Sequence, residues 1–142
     1  MGKKRIVKKG GEGEASGAGG SPRASKRKME KGLVYVEATY NNTKMCLADE
    51  GGNIVVWSSA GSLGFSGAKK GTPFAAAKVV SALAEKIQKS GPFNVHVFLS
   101  GVGGGRDSAL RSFANRGFTI LSIKDVTPIP HNGPRPKKVR RV

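Results

Sequence analysis

Polar and apolar residues alternate along three successive stretches in the first half of the chain. LVYVEATY (33–40) places Val34, Val36, Ala38 and Tyr40 on one side, the period-two pattern of a half-buried strand. Asn41-Asn42 follows, and because asparagine tolerates positive φ the pair suits a tight hairpin turn. TKMCLAD (43–49) alternates again, with Met45 and Leu47 on one side. Asp49–Asn53 reads as a second turn and IVVWSSA (54–60) as a third strand, so an antiparallel meander is predicted.

The period then changes. A glycine- and serine-rich connection (61–71) carrying Lys69 and Lys70 leads to Thr72-Pro73, a capping threonine followed by proline at the first helical position. Ala76, Val80, Leu83 and Ile87 make one apolar stripe, with Lys78, Ser81, Glu85 and Lys89 opposite and Glu85–Lys89 as a favourable pair. Gly91-Pro92 ends this helix. FNVHVFL (93–99), apolar on both faces, reads as a central strand. RDSALRSFANR (106–116) is a short helix with Leu110, Phe113 and Ala114 inward, and FTILSIKDV (118–126) is the last strand. The order β-β-β-α-β-α-β makes the fold α/β. Each strand–helix–strand unit implies a parallel crossover, so the five-stranded sheet is mixed, with two helices expected to complete three layers.

The flanks carry different material. Residues 1–31 hold 10 Lys/Arg against 3 Glu, with Ile6 and Val7 the only adjacent large apolar pair, and are expected to be a disordered basic arm. Residues 32–127 hold the periodic elements of one globular domain, and 128–142 form an extended, proline-rich basic tail. Of the net charge of +16, the two flanks carry +12, which points to an anionic partner. One cysteine, Cys46, excludes an internal disulfide, and with two histidines it gives no convincing metal set. No cofactor is expected. No apolar run is long enough for a membrane span and the basic start lacks an apolar signal core, so a soluble, intracellular protein is expected.

SGVGGGRDS (100–108) stands between a predicted strand and helix, where glycine-rich turns hold phosphate. It does not fit the dinucleotide pattern, since the sixth position is Arg106 counted from Gly101 and Ser108 counted from Gly103. Lys70-Gly71-Thr72 is in the wrong order for a mononucleotide loop. What remains is close approach of an anion to the backbone of Gly101, Gly103 and Gly105, a helix N-terminus, and the guanidinium of Arg106. Arg111 and Arg116 follow at five-residue steps, each turning about 140°, and spread cations around that helix. In the tail, Arg135, Lys137, Lys138, Arg140 and Arg141 can track an anionic polymer on a proline-stiffened path. His131 stacks on a base or sugar or stands exposed, and Asn132-Gly133 is a deamidation-prone step. A metal-dependent nuclease is the alternative; it needs converging carboxylates, and those of the core are scattered over turns and helix ends.

Four runs resemble a known family: YNNT (40–43), GTPFAA (71–76), GRDS (105–108) and above all DVTPIPHNGPRPKK (125–138). Over about residues 32–142 the chain resembles the universal eleventh protein of the small ribosomal subunit in its bacterial form. The resemblance implies a ribonuclease-H-like topology without the catalytic carboxylates, and a structural place in the cytoplasmic ribosome. It implies bridging of rRNA helices on the subunit platform and a share in the cleft for Shine–Dalgarno pairing of the messenger. The seventh and eighteenth small-subunit proteins are implied neighbours, and contact with initiation factor three is attributed to the family. RNA contact then extends to Asn41, Asn42, His131 and Asn132 beside the basic groups. Three departures stand out: GVGGGR where the family alternates glycine and proline, Ala68 where a basic residue is usual, and Pro134 where cysteine is usual. The glycine-rich N-terminal arm is also longer than the family leads one to expect.

Overall fold

The alternating segments pair as their pattern demands. In the computed structural model, which describes residues 29–88 and 94–139, β1 (Lys31–Ala38), β2 (Thr43–Ala48) and β3 (Ile54–Ser59) form the antiparallel meander. Thr39 closes the first hairpin, its N–H and hydroxyl both donating to the carbonyl of Asn42. β4 (Asn94–Ser100) lies parallel to β1 and β5 (Thr119–Asp125) parallel to β4, giving the order β3-β2-β1-β4-β5. Helix α1 (Pro73–Ile87) crosses from β3 to β4, and α2 (Gly105–Asn115) from β4 to β5. Thr72 caps α1 by accepting from the N–H of Ala75 at 3.3 Å.

The sheet is mixed and five-stranded as expected, but the layering differs. Both crossovers step in the same direction across the sheet, from β3 past β2 and β1 to β4, then on to β5. Parallel crossovers share one hand, so two steps in one direction put both helices on the same face. Val34, Val36, Met45, Leu47, Val95 and Val97 accordingly form a single core with Val79, Val80 and Leu83 of α1 and Ala109 and Phe113 of α2. The protein has two layers, a sheet and a helix pair, in place of the expected three. Among the described residues no helix covers the other face, and Tyr35 and Trp57 are exposed there.

Smaller differences have local causes. The buried stripe of α1 is wider than expected, adding Ala75, Val79 and Ala84, because the helix meets α2 as well as the sheet. On α2, Ala109 is buried and Ala114 is exposed, reversing the expectation for Ala114; Ala109 and Phe113, four apart, set the inward line. Tyr40 lies past the end of β1 and is exposed. Of the stretch expected to be a basic arm, Met29 packs against the core and Lys31 opens β1. The rest of that arm, Lys89 with its predicted pairing, the Gly91-Pro92 stop, Phe93, and Arg140 and Arg141 lie outside the described residues.

Phe113 ties the layers together: it is fully buried and meets Phe118 edge to face at 5.5 Å. Phe113→Ala removes this anchor and is expected to lower the unfolding free energy by about 3–5 kcal/mol, measured by denaturant titration, while Tyr40→Ala stays close to wild type.

Candidate nucleic-acid interface

The parallel strands β1, β4 and β5 all end on the same side of the sheet, at Ala38, Ser100 and Asp125, and the N-termini of both helices open there. The Ser108 hydroxyl donates to the carbonyl of Pro73 at 2.7 Å, tying the start of α2 to the start of α1. No side chain caps α2, whose positive end is moderated by Asp107 in the first turn, and the N–H of Arg106 donates to the carbonyl of Gly103. Lys69 and Lys70 sit in the last turn of the short 3-10 segment Gly67–Gly71, immediately before the α1 cap. The Thr72 hydroxyl donates to the carbonyl of Lys69 at 2.7 Å, which fixes the lysine pair to the cap. Two helix dipoles and two lysines thus share one edge of the domain, an arrangement suited to phosphate.

The glycines of both loops lie against the backbone of the first hairpin. Gly101 has φ +91, open to glycine and unfavourable to other residues, and a Cβ there would run into the carbonyl of Ala38. A Cβ on Gly103 would strike the carbonyl of Thr39, one on Gly71 that of Tyr40, and one on Gly105 would lie 2.8 Å from the Thr43 hydroxyl. The glycine loop and the lysine loop therefore press against the 39–42 hairpin backbone. Their N–H groups are partly spent: Gly103 donates to Ala38 at 2.8 Å and Gly101 to the Thr127 hydroxyl at 3.2 Å. The turn that carries Asn41 and Asn42 is held beside the lysine pair by this packing.

Arg106 also faces inward. Its guanidinium donates to the carbonyl of Gly101, to the Thr127 hydroxyl at 3.3 Å and to the Asp125 carboxylate at 2.6 Å. The other oxygen of Asp125 accepts from the N–H of Thr127 at 2.9 Å and from its hydroxyl at 2.6 Å. The Thr127 hydroxyl, followed by the guanidinium, holds the Asp125 carboxyl far below the usual aspartate range. The N–H of Val126 donates to Leu99 at 2.8 Å, so the chain leaves β5 on a fixed heading. Arg106 is thus an internal clasp at the root of the tail. Sequence reading missed this pairing; its only local signal is the Asp-x-Thr step at 125–127.

The remaining candidates separate. Arg116 reaches the Ser81 hydroxyl at 2.6 Å and bridges the helices, whereas Arg111 is exposed with no side-chain hydrogen bond among the described residues. His131, Asn132, Arg135, Lys137 and Lys138 are exposed along a tail without helix or strand, with Asn132 at φ +51. Among the described residues no group of three or more His, Cys, Asp or Glu could hold a metal ion. Three of the core carboxylates have partners: Glu37 pairs with Lys44 at 3.5 Å, Asp49 accepts from Asn53, and Asp125 is in the clasp.

Residues 32–141 match the family described as "Ribosomal protein S11". The protein from Treponema pallidum named "Small ribosomal subunit protein uS11" is 50% identical over 120 residues, covering 84% of this chain and 95% of that protein. The protein of that name from Solibacter usitatus is 51% identical over 117 residues, 82% of this chain and 87% of its own length. That from Borreliella burgdorferi is 48% identical over 122 residues, 86% and 94% respectively.

The clasp has a pH signature. Asp125 ionises more readily folded than unfolded, so its contribution is complete above the ordinary aspartate pKa of about 3.9 and fades as pH falls through it toward the lower folded value. Over that acid window the thermal midpoint of the wild type should fall more steeply than that of Asp125→Asn; parallel curves would mean the clasp carries no stability. Arg106→Lys keeps the charge but not the fork, and proteolysis between residues 126 and 139 should accelerate.

Proposed function

The chain belongs to the bacterial ribosomal protein S11 family, and from that we propose that its lysine-bearing edge and its tail hold two separate stretches of small-subunit rRNA backbone. As a family member it is a structural, non-enzymatic constituent of the small ribosomal subunit, and its working place is the cytoplasmic ribosome. The observation that carries the proposal is the convergence of both helix N-termini with Lys69 and Lys70 beside the root of a cationic tail. Phosphate contacts of this kind position a protein without reading sequence, which suits a constituent that clamps folded RNA. Gly101, Gly103 and Arg106 act in this reading as supports: they set the hairpin carrying Asn41 and Asn42 and aim the tail, leaving Lys69, Lys70, Arg111 and the tail cations to meet phosphate.

The finer placement follows the resemblance of residues 125–138. It puts the chain on the subunit platform, beside the cleft for Shine–Dalgarno pairing, with the seventh and eighteenth small-subunit proteins as neighbours and initiation factor three within reach. The division into an RNA-tracking arm, a folded centre and an RNA-tracking tail belongs to the same proposal. The nuclease reading gains no support, because among the described residues the carboxylates form no group that could hold a metal ion, and Glu37, Asp49 and Asp125 are engaged elsewhere.

Two measurements test it. For Lys69→Ala and Lys70→Ala, the slope of log K against log salt for small-subunit rRNA should shrink by about 0.7–0.9 for each phosphate no longer neutralised; an unchanged slope removes both from the interface. Deleting 128–142 should leave a cooperatively melting domain that co-sediments poorly with small subunits. Assembly equal to the full chain would show that the tail is no anchor.

A further inference from the structure

We propose that Phe74 is a stacking platform for an unpaired base of the RNA strand whose phosphates meet Lys69 and Lys70. This role rests on the phosphate reading of that edge and adds to it the recognition of a base. Phe74 is the second residue of α1, where Ala75 and Ala76 turn to the core while Phe74 stays 63% exposed. Its ring is nevertheless held in place. Phe65, half-buried against the core, meets it edge to face, ring centres 6.1 Å apart and planes at 79°. One helical turn on, the ammonium of Lys78 lies over the ring, 5.6 Å from its centre. An aromatic that is fixed and still meets water loses little freedom on stacking. Thr72 links it to the lysine pair, its N–H at 3.3 Å and its hydroxyl at 2.7 Å both donating to the carbonyl of Lys69. Ring and lysines therefore keep a set relation across the helix cap.

Charge selects the occupant. From Gly51 to Ala84 the chain carries Lys69, Lys70 and Lys78 and no acid at all. Asp107, in the first turn of α2, is the acid that shares this edge. The groove that adjoins Phe65 and Lys78, about 400 Å³, also carries Arg116 against the single acid Glu85, so the excess of positive charge continues past the ring. A protein segment seated here would have to bring carboxylates to the lysines and a separate apolar side chain to Phe74. A nucleotide supplies both in one unit, a flat π face and a phosphate one ribose away. With Lys78 over one face of the ring, the base takes the opposite one.

Trp57 is the chain's only tryptophan, so in a Trp57→Phe background the variant Phe74→Trp emits from the platform alone. This full-length variant is titrated with a short single-stranded oligoadenylate and with an abasic ribose-phosphate oligomer of equal length. Oligoadenylate should quench the emission and the abasic oligomer should not. In the otherwise unaltered chain, Phe74→Leu keeps an apolar side chain and should weaken oligoadenylate binding roughly tenfold, with salt slope and thermal midpoint unchanged. Phe74→Tyr keeps the ring and should bind as the wild type does. Absence of quenching by oligoadenylate, equal quenching by the abasic oligomer, or unchanged affinity in Phe74→Leu would each overturn the proposal. Poor co-sedimentation of Phe74→Leu with small subunits, beside unchanged oligoadenylate affinity, would give the ring to a protein partner instead. The salt slopes of Lys69→Ala and Lys70→Ala judge the phosphate reading separately: loss of the base-dependent signal with those slopes as expected removes the platform alone.

Discussion

The pairing of β4 with β1 on the side away from β2 is the constraint on which the rest of the molecule depends. It obliges both crossovers to travel the same way, and the fixed hand of such crossovers then brings both helices to one face. Helices that return from parallel strands begin at the same end of the sheet, so their positive termini are neighbours by topology. Among the described residues the same choice leaves the other face without a helix. The lysine-bearing edge and that face are therefore two outcomes of one decision about strand order.

Within that frame, the polar end of the sheet is built by backbone packing more than by side chains. The hairpin at 39–42 is touched from two directions, by the loop before α1 and by the loop before α2, at distances that leave no room for a Cβ. Arg106 complements this packing by binding a carbonyl, a hydroxyl and a carboxylate at once, which a planar guanidinium does well and an ammonium does not. An arginine next to a glycine loop looks like a ligand for something external; here its strongest partner is the strand that launches the tail. Lys69, Lys70 and the tail cations lie around that rigid centre, on loops and tail where ordering costs little core.

Most of the fold is legible in the sequence where a local period records which side meets the core. The strands carrying Val34 and Val36, Met45 and Leu47, and the helix after Thr72-Pro73 all show it. The layer count is not legible, because two strand–helix–strand units declare two parallel crossovers without saying on which side of β1 the fourth strand inserts. The inward face of α2 is legible only in part, since alanine fits either side and Ala109 and Ala114 can be told apart only by what they pack against. At the site, Lys69, Lys70 and the tail are readable as charge. The commitment of Arg106 is not, because Asp125 lies 19 positions away and no local rule joins the two.

A sheet covered on one side poses a problem for any copy that has not yet been assembled. Such an orphan shows water a Trp57–Tyr35–Phe98 file that invites copies to associate. Yet each copy also bears a net charge of +16, and molecules so strongly alike in sign repel one another before their faces meet. The same excess of cations thus acts as a solubility guard for the free chain. A polyanion that neutralises those cations would withdraw the guard.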